Sequence, residues 1–542
     1  METITIALVL LVAVVLSGAI SRSLPAPIPL PLVQITLGAM IGMAADLRVA
    51  LEPDIFFLLF LPPLLFLDGW RIPADELMKD RATVLELALG LVVFTVVGVG
   101  FFIDWMIPAM PLAVCFALAA VVSPTDPIAV SAIAQRVPIP RRMMHVLEGE
   151  SLLNDASGLV CLRFAIAAAL TGTFSLYDAT LTFLWVAIGG LSVGVLLTWG
   201  VTRIKDWISR RIGEESGSQI LVSLLIPFAS YLAAEHLHCS GILAAVAAGV
   251  TMSFAEGKGT ALAATRIRRN TVWDVIQITA NGIIFVLLGE QLPGIVARSA
   301  ETVKLTGHES AWWLVVYVLA INAALAALRF IWVWVSLRLT MFRAGRSSHS
   351  PNWRIVAAMS FAGVRGAITL AGVLTLPFAM GDGSPFPARD LAIFLAAGVI
   401  IVSLIAASIA LPLLLNNLQM PAEPAHDREE DIARIHAAEA AIAEIERVQH
   451  KLAEGRKDAD LYVAAASQIM ELYRHRIESR NSEGEAGNAL RQSERIEREM
   501  WLAAIRAERR ELFRKLRRRE LGSGTARKLI RELDLLETRY AD

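Results

Sequence analysis

The stretch VVSPTDPIAV, residues 121–130, interrupts a long apolar run with two prolines and a Thr-Asp pair. A proline lacks an N–H and prevents the helical bond to the carbonyl four residues earlier, so Pro124 and Pro127 each free a backbone carbonyl. Inside a membrane, freed carbonyls are tolerated only where they line a cavity or meet a partner. A gap with loose carbonyls, the Thr125 hydroxyl and the Asp126 carboxylate suits a dehydrated hard cation. The alternative is a plain proline kink in which Asp126 caps a helix.

The rest of the chain divides by composition into a membrane part and a soluble part. Apolar runs of about 17–25 residues, the length that crosses a bilayer, recur from Thr3 to Leu415. The segment 421–542 has no such run and holds 25 of the 51 acidic and 24 of the 50 basic residues. We therefore predict a transmembrane domain over 1–417 and a cytosolic, helical, regulatory tail over 418–542. The net charge of −1 gives no indication of a nucleic-acid partner.

The apolar runs predict an all-α polytopic membrane protein with about thirteen transmembrane helices. The predicted spans are residues 3–20, 28–44, 54–70, 83–105, 111–134, 146–170, 179–203, 217–235, 239–254, 271–291, 312–337, 355–380 and 389–416. Loops after odd-numbered spans carry nineteen Lys and Arg, whereas loops after even-numbered spans carry four. Because cytoplasmic loops are the basic ones, this bias predicts an outside N-terminus and a cytoplasmic C-terminus, as in a multi-pass protein of the cell (inner) membrane.

The sixth span contains EGESLLNDASGLV, residues 148–160, with three carboxylates in an apolar setting. Charges inside a membrane are costly and are therefore functional candidates by default. At about 100° per residue, Ser151 and Asp155 share one helix face, whereas Glu150 lies about 140° away from Asp155. This spacing predicts that Asp155 faces the broken fifth span and that Glu150 faces a basic partner elsewhere. Charged residues at span ends are interpreted as interfacial anchors; these are Asp68, Asp104, Glu235 and Glu290.

The twelfth span carries a second interruption, in which Gly363, Gly366 and Gly372 surround Arg365. Glycines permit unwinding or close helix contact, and a buried arginine requires counter-charges. The fifth and twelfth spans are seven apart, which is the relation expected if spans 1–6 and 8–13 are inverted repeats. Interrupted helices at corresponding places in two halves indicate a midplane site in a secondary transporter.

Three motifs on these spans carry a resemblance to a known family. TDP (125–127), GESLLND (149–155) and GVRGA (363–367) together resemble the monovalent cation:proton antiporters, specifically the sodium/proton exchanger branch. The resemblance covers the whole membrane domain. It implies a homodimer, with a dimerisation part and a moving core part, that works by alternating access.

Carried onto this sequence, the resemblance also implies roles for individual residues. A monovalent cation would bind at Asp155 and Asp126. The full set of implied ion-binding residues is Asp155, Asp126, Thr125, Ser151 and Asn154. The charge-balancing residues are Glu150 paired with Arg329, and Arg365 where the broken helices cross. Asn154 occupies the place that Asp holds in the related electrogenic branch. Glu148 and Arg163 match no motif of the family, and Glu148 is a candidate for the cytoplasmic funnel or an interfacial carboxylate.

These residues predict a transporter and not an enzyme. It would exchange a proton for Na⁺, Li⁺ or K⁺ at one buried carboxylate, and this exchange would serve pH and cation homeostasis. If Arg365 offsets Asp126 and Arg329 offsets Glu150, only Asp155 exchanges its counter-ion, so transport is electroneutral. The lipid bilayer is the surrounding partner, and no cofactor is expected. Two alternatives are a cation channel or uniporter and an intramembrane aspartyl protease; the nearest match to a protease motif, MGDGS (380–384), lies in an external loop.

Overall fold

The chain folds into two compact, helical units. A computed structural model describes residues 2–24, 28–44, 53–71, 86–126, 130, 141–171, 176–257, 262–297, 303, 310, 312–343, 352–380, 382–416, 424–454, 459–481 and 484–540. Apart from turns and short extended segments, these residues are helical, and they contain one isolated bridge between Ala379 and Pro385. The two units are Met1–Leu418 and Gln419–Asp542.

The first unit is a bundle of apolar helices. They are α1 (Glu2–Ser23), α2 (Leu30–Ala44), α3 (Pro53–Arg71), α4 (Val92–Met106, preceded by a π-helical segment, Glu86–Leu91), α5 (Leu112–Val122), α6 (Arg141–Thr171), α7 (Leu176–Ile212), α8 (Ser216–His236), α9 (Gly241–Glu256), α10 (Ala263–Ala297), α11 (Trp312–Arg343), α12 (Trp353–Phe361), α13 (Ala367–Leu374) and α14 (Arg389–Leu415). This arrangement confirms the all-helical, membrane-spanning class.

Seven of the described helices are long and apolar enough to cross a membrane, and four shorter apolar helices accompany them. Each predicted span coincides at least in part with a described helix, but the count of thirteen and the inverted repeats stay predictions. Several residues on which these predictions rest lie outside the described ones. They are Pro127 and the loop residues Arg48, Lys79, Arg81, Arg136, Lys258, Arg298, Lys304 and Arg346.

Both predicted interruptions are present in the structure. In the fifth span, helix α5 ends at Val122 and a non-helical segment follows up to Asp126. In the twelfth span, α12 ends at Phe361 and α13 begins at Ala367. The breaks follow from the local chemistry, because proline cannot continue a helix and glycine tolerates an extended backbone.

Helices α2 and α10 pack with their backbones in direct contact. A Cβ atom added to Gly38 would lie 2.0 Å from the carbonyl oxygen of Val286, and one added to Gly289 would lie 2.0 Å from that of Ile35. Only glycine permits this approach, as is common where membrane helices pack closely. These two helices therefore form a tightly fixed pair.

The second unit consists of four polar helices, α15 (Pro424–Ala453), α16 (Ala459–Asn481), α17 (Gly484–Arg517) and α18 (Ser523–Tyr540). Ala438 of α15 and Met470 of α16 are buried. Between α17 and α18, Trp501 stacks on Tyr540 at 5.4 Å, and Arg509 pairs with Asp534 at 2.8 Å. The tail is therefore a small helical unit with its own packed contacts.

Candidate ion-binding site

The two interrupted spans meet through their backbones. The N–H of Asp126 donates to the carbonyl of Val364 at 2.8 Å, so the broken part of the fifth span crosses that of the twelfth. Gly366 makes room for this crossing, because an added Cβ would lie 2.0 Å from Oδ2 of Asp126. Gly158 of α6 packs against the same break, where its own Cβ would lie 2.4 Å from Cγ of Pro124. The break is thus held in place by neighbouring helices.

A small cavity of about 30 Å³ lies beside this crossing. That volume holds about one water molecule or one dehydrated ion. Its polar lining residues are Asp68, Thr125, Asp126, Ser151, Asp155, Asn281 and Thr369. Three carboxyl groups, three hydroxyl groups and an amide around one ion-sized space form a set of hard oxygen ligands, which suits an alkali cation.

Four of the five predicted ion-binding residues line this cavity: Thr125, Asp126, Ser151 and Asp155. The fifth, Asn154, lies behind it. Its Nδ2 donates to Oγ1 of Thr125 at 2.9 Å, and its own Oδ1 is buried without a hydrogen-bond partner among the described residues. Asn154 therefore orients a cavity residue and does not line the cavity itself.

Glu150 and Arg329 form a buried, bidentate ion pair behind the cavity. Arg329 donates to both carboxylate oxygens of Glu150, at 2.7 Å to Oε2 and more closely to Oε1. The two residues are only 1% and 3% exposed, and Nε of Arg329 donates to the carbonyl of Met359 at 2.9 Å. The hydroxyl of Thr125 donates to Glu150 at 3.2 Å. Through Thr125, the buried pair therefore contacts the lining of the cavity.

Arg365 is buried on a different side of the crossing. Its guanidinium donates to the carbonyl of Gly363 at 2.8 Å, and its backbone N–H donates to Ser403 at 3.1 Å. It lines a second cavity of about 360 Å³ together with Ser360 and Ser403, and not the cavity that Asp126 lines. Glu148 is half-buried and does not line the small cavity, so its funnel role stays a prediction.

The prediction that Asp68 is an interfacial anchor is wrong. Asp68 lines the small cavity from α3, and Asn281 lines it from α10. The rule that intramembrane carboxylates are functional candidates applies to Asp68, but a position three residues from the end of α3 fits an interfacial anchor equally well. Asn281 is uncharged, and no sequence signal distinguishes it.

The two cavity residues from α3 and α10 share a local sequence feature, which is a glycine directly after the polar residue. Asp68 is followed by Gly69, where a Cβ would lie 2.6 Å from the carbonyl oxygen of Val246 in α9. Asn281 is likewise followed by Gly282, where a Cβ would lie 2.7 Å from Cγ1 of Val14 in α1. Each cavity residue thus precedes a glycine that contacts the neighbouring helix.

Arg163, for which the motifs give no role, pairs with Glu235 at 2.9 Å. Glu235 also accepts from the backbone N–H of Gly241 at 3.2 Å. The pair connects α6, which carries Asp155, to the C-terminal end of α8. It lies eight residues, or about 12 Å, along α6 from Asp155.

Two interrupted helices that cross beside an acid-lined, ion-sized cavity, in an all-helical membrane protein, define a secondary transporter of cations. The chain belongs to the sodium/hydrogen exchanger family, since the family model described as "Sodium/hydrogen exchanger, transmembrane" matches residues 7–417. The protein is thus a transporter and not an enzyme, and the channel and protease alternatives are set aside.

The relatives of the chain agree with this membership. It is 42% identical to an uncharacterized Na⁺/H⁺ exchanger, YjcE, of Escherichia coli, over 99% of this chain and 98% of that protein. It is 45% identical to a sodium, potassium, lithium and rubidium/H⁺ antiporter of Bacillus pumilus, over 76% of this chain and 61% of that protein. The sodium proton antiporter MjNhaP1 of Methanocaldococcus jannaschii shares the fold, with a TM-score of 0.58 at 19% identity, over 77% of this chain and 99% of that one.

Proposed function

We propose that the protein exchanges protons for Na⁺, with Li⁺ and K⁺ as further candidate cations, at the small cavity beside the crossing. The observation that carries the proposal is the convergence of Asp68, Asp126 and Asp155 on a space of about 30 Å³. A buried carboxylate is disfavoured as a bare charge, so it is stabilised either by a proton or by a cation. The two ligands therefore compete for one group, which couples their movements in opposite directions.

Asp155 is the group at which we place this competition. It lies on α6 beside the broken fifth span, and Ser151, one turn earlier, lines the same cavity. The other oxygen ligands would complete the coordination of a dehydrated ion. Because Glu150 and Arg329 neutralise each other's charge, we infer that the pair supports the site and does not exchange ions.

The proposed exchange is electroneutral, with one cation moving for each proton. This ratio requires that Asp68 and Asp126 keep the same protonation state throughout the cycle while Asp155 alternates. Exchange of two protons, one from each of two carboxylates, for a single cation would instead move net charge. The ratio therefore tests the roles of the three carboxyl groups directly.

We also propose the organisation in the cell. The Lys and Arg bias favours a cytoplasmic C-terminus and an outside N-terminus in the cell (inner) membrane. We infer a homodimer, a division of 1–417 into dimerisation and core parts, and a regulatory role for 418–542, as the sequence resemblance implies. In this arrangement the exchange serves pH and cation homeostasis.

Proton flux in everted membrane vesicles tests the proposed function. Vesicles that contain the protein are energised, and Na⁺, Li⁺ and K⁺ are added in turn while the internal pH is followed with a fluorescent dye. We expect proton release on addition of Na⁺, and none with Asp155→Asn. Cation flux without counter-movement of protons would refute the proposal.

A further inference from the structure

Helix α7 is much longer than a membrane crossing requires. Its 37 residues extend about 55 Å at 1.5 Å per residue, whereas about 20 residues cross the hydrocarbon core. Its apolar run ends near Trp199, and the segment 203–211 contains four basic residues and one acidic residue. The C-terminal end of α7 therefore projects through the interface between lipid and water.

Aromatic and basic side chains alternate along one face of this projecting end. Trp199, Arg203, Trp207 and Arg211 follow one another at intervals of four residues, which places them on one stripe. The guanidinium of Arg203 lies 5.2 Å from the ring centre of Trp199, and that of Arg211 lies 4.6 Å from that of Trp207. The two tryptophans are 54% and 56% exposed. Neither arginine makes an ion pair within the part of the chain that the structure describes.

An apolar row and a groove lie next to this stripe. Ile204, Ile208 and Ile212 are all exposed, and they line a groove of about 300 Å³ between α7 and the start of α8. Lys205 lines the groove with its side chain only 16% exposed, and its ion-pair contact with Asp206 is long, at 3.9 Å.

The nearby acidic residues have other partners. The carboxylate of Glu214 accepts from the N–H of Leu262 at 3.1 Å, and that of Glu215 accepts from Ser218 at 2.6 Å. The stripe therefore carries a net positive charge. It lies where α7 leaves the hydrocarbon core, at the level of the lipid headgroups.

We propose that this surface binds an anionic phospholipid. Its phosphate would lie against the guanidinium of Arg203 or of Arg211, which are about 12 Å apart along α7. Each guanidinium can donate two parallel hydrogen bonds to phosphate oxygens. An acyl chain would follow the isoleucine row along the groove, back towards the hydrocarbon core. Tryptophan at headgroup level and clustered basic residues are the features that recognise such lipids. The apolar row favours a lipid over a free phosphate ion, which has no apolar part to bury.

Lipid-dependent thermal stability tests the proposal on the full chain in detergent. Phosphatidylglycerol, phosphatidylcholine or inorganic phosphate is added to wild type, to the double variant Arg203→Gln/Arg211→Gln, and to the control Arg268→Gln/Arg338→Gln. The control removes two exposed arginines from other helices. We expect phosphatidylglycerol to raise the Tm of wild type and control, and the first double variant to require on the order of tenfold more lipid for the same rise.

The remaining outcomes each decide the question. Equal stabilisation by phosphatidylcholine or by inorganic phosphate would overturn the proposal, and so would a full response of the first double variant. If that variant folds poorly, Arg203→Lys/Arg211→Lys keeps the charge, and native mass spectrometry counts the retained phosphatidylglycerol. Retention below that of Arg268→Gln/Arg338→Gln is expected, because lysine keeps the charge but cannot form the bidentate contact. Wild-type protein with no preference for phosphatidylglycerol would refute the inference. Ion exchange by the variants should be unchanged, because the surface is separate from the ion cavity.

Discussion

Replacing Glu150 with glutamine separates the structural role of the buried pair from the transport role that we propose for Asp155. Glutamine keeps the size of the side chain but removes the charge that faces Arg329. The arginine then remains buried at 3% exposure, with its contact to the carbonyl of Met359 but without its counter-ion. We expect a marked loss of thermal stability in this variant.

The magnitude follows from the burial of both partners. Breaking one side of a buried ion pair costs about 3–5 kcal/mol, because an uncompensated charge is left in a medium of low polarity. Arg329→Ala should cost a similar amount, since it leaves Glu150 unpaired. The double variant should be less destabilised than the sum of the two single losses, with a coupling energy of about 0.5–3 kcal/mol.

Two variants serve as comparisons in this experiment. Asp155→Asn should keep a Tm near that of wild type while exchange is lost, because it removes the group for which we propose that proton and cation compete. Asp274→Asn breaks the half-exposed pair with Arg71, and such pairs contribute at most about 1 kcal/mol.

The measurements are the Tm of each purified variant and its Na⁺-dependent proton flux in proteoliposomes. A Glu150→Gln protein as stable as wild type but inactive, together with an Asp155→Asn protein that still exchanges ions, would show that the two roles are reversed.

Four further predictions concern the mechanism and the two units. A potassium diffusion potential imposed on proteoliposomes should leave the exchange rate nearly unchanged, and acceleration at one polarity would mean that a second carboxylate exchanges its proton. Gly366→Ala should reduce exchange at least about tenfold, because the added methyl group would lie 2.0 Å from a carboxylate oxygen at the crossing; near-normal flux would show that the crossing can relax. Arg163→Glu and Glu235→Arg should each slow exchange, and the double swap should restore much of the rate if the pair connects α6 to α8 during the cycle. Deletion of 421–542 should preserve the capacity for exchange in everted vesicles, and complete loss in a stable, inserted truncation would contradict a purely regulatory tail.

The parts of the site that could be predicted from the sequence are those set by local chemistry. Pro124 and the glycines around Arg365 interrupt their own helices, so the breaks can be located without knowledge of the fold. The helical period likewise separates Glu150 from Asp155, and the structure places one against Arg329 and the other in the cavity.

The parts that could not be predicted depend on contacts between distant helices. Asp68 lies three residues from the end of α3, where an isolated helix gives no reason to distinguish a cavity residue from an interfacial one. Its place in the cavity is set by the packing of α3 beside the crossing. The amide of Asn281 joins the site for the same reason.

The residues on which the proposed ion site depends extend beyond the lining of the cavity, because they include the glycines that follow Asp68 and Asn281. Gly69 and Gly282 do not line the cavity, yet each packs directly against a neighbouring helix. A saturation mutagenesis screen under salt stress should therefore identify both glycines together with the carboxylates. Neither alanine nor serine should be tolerated at these two positions. The intolerant positions would then form pairs of adjacent codons, in which the first encodes the polar residue and the second encodes the glycine.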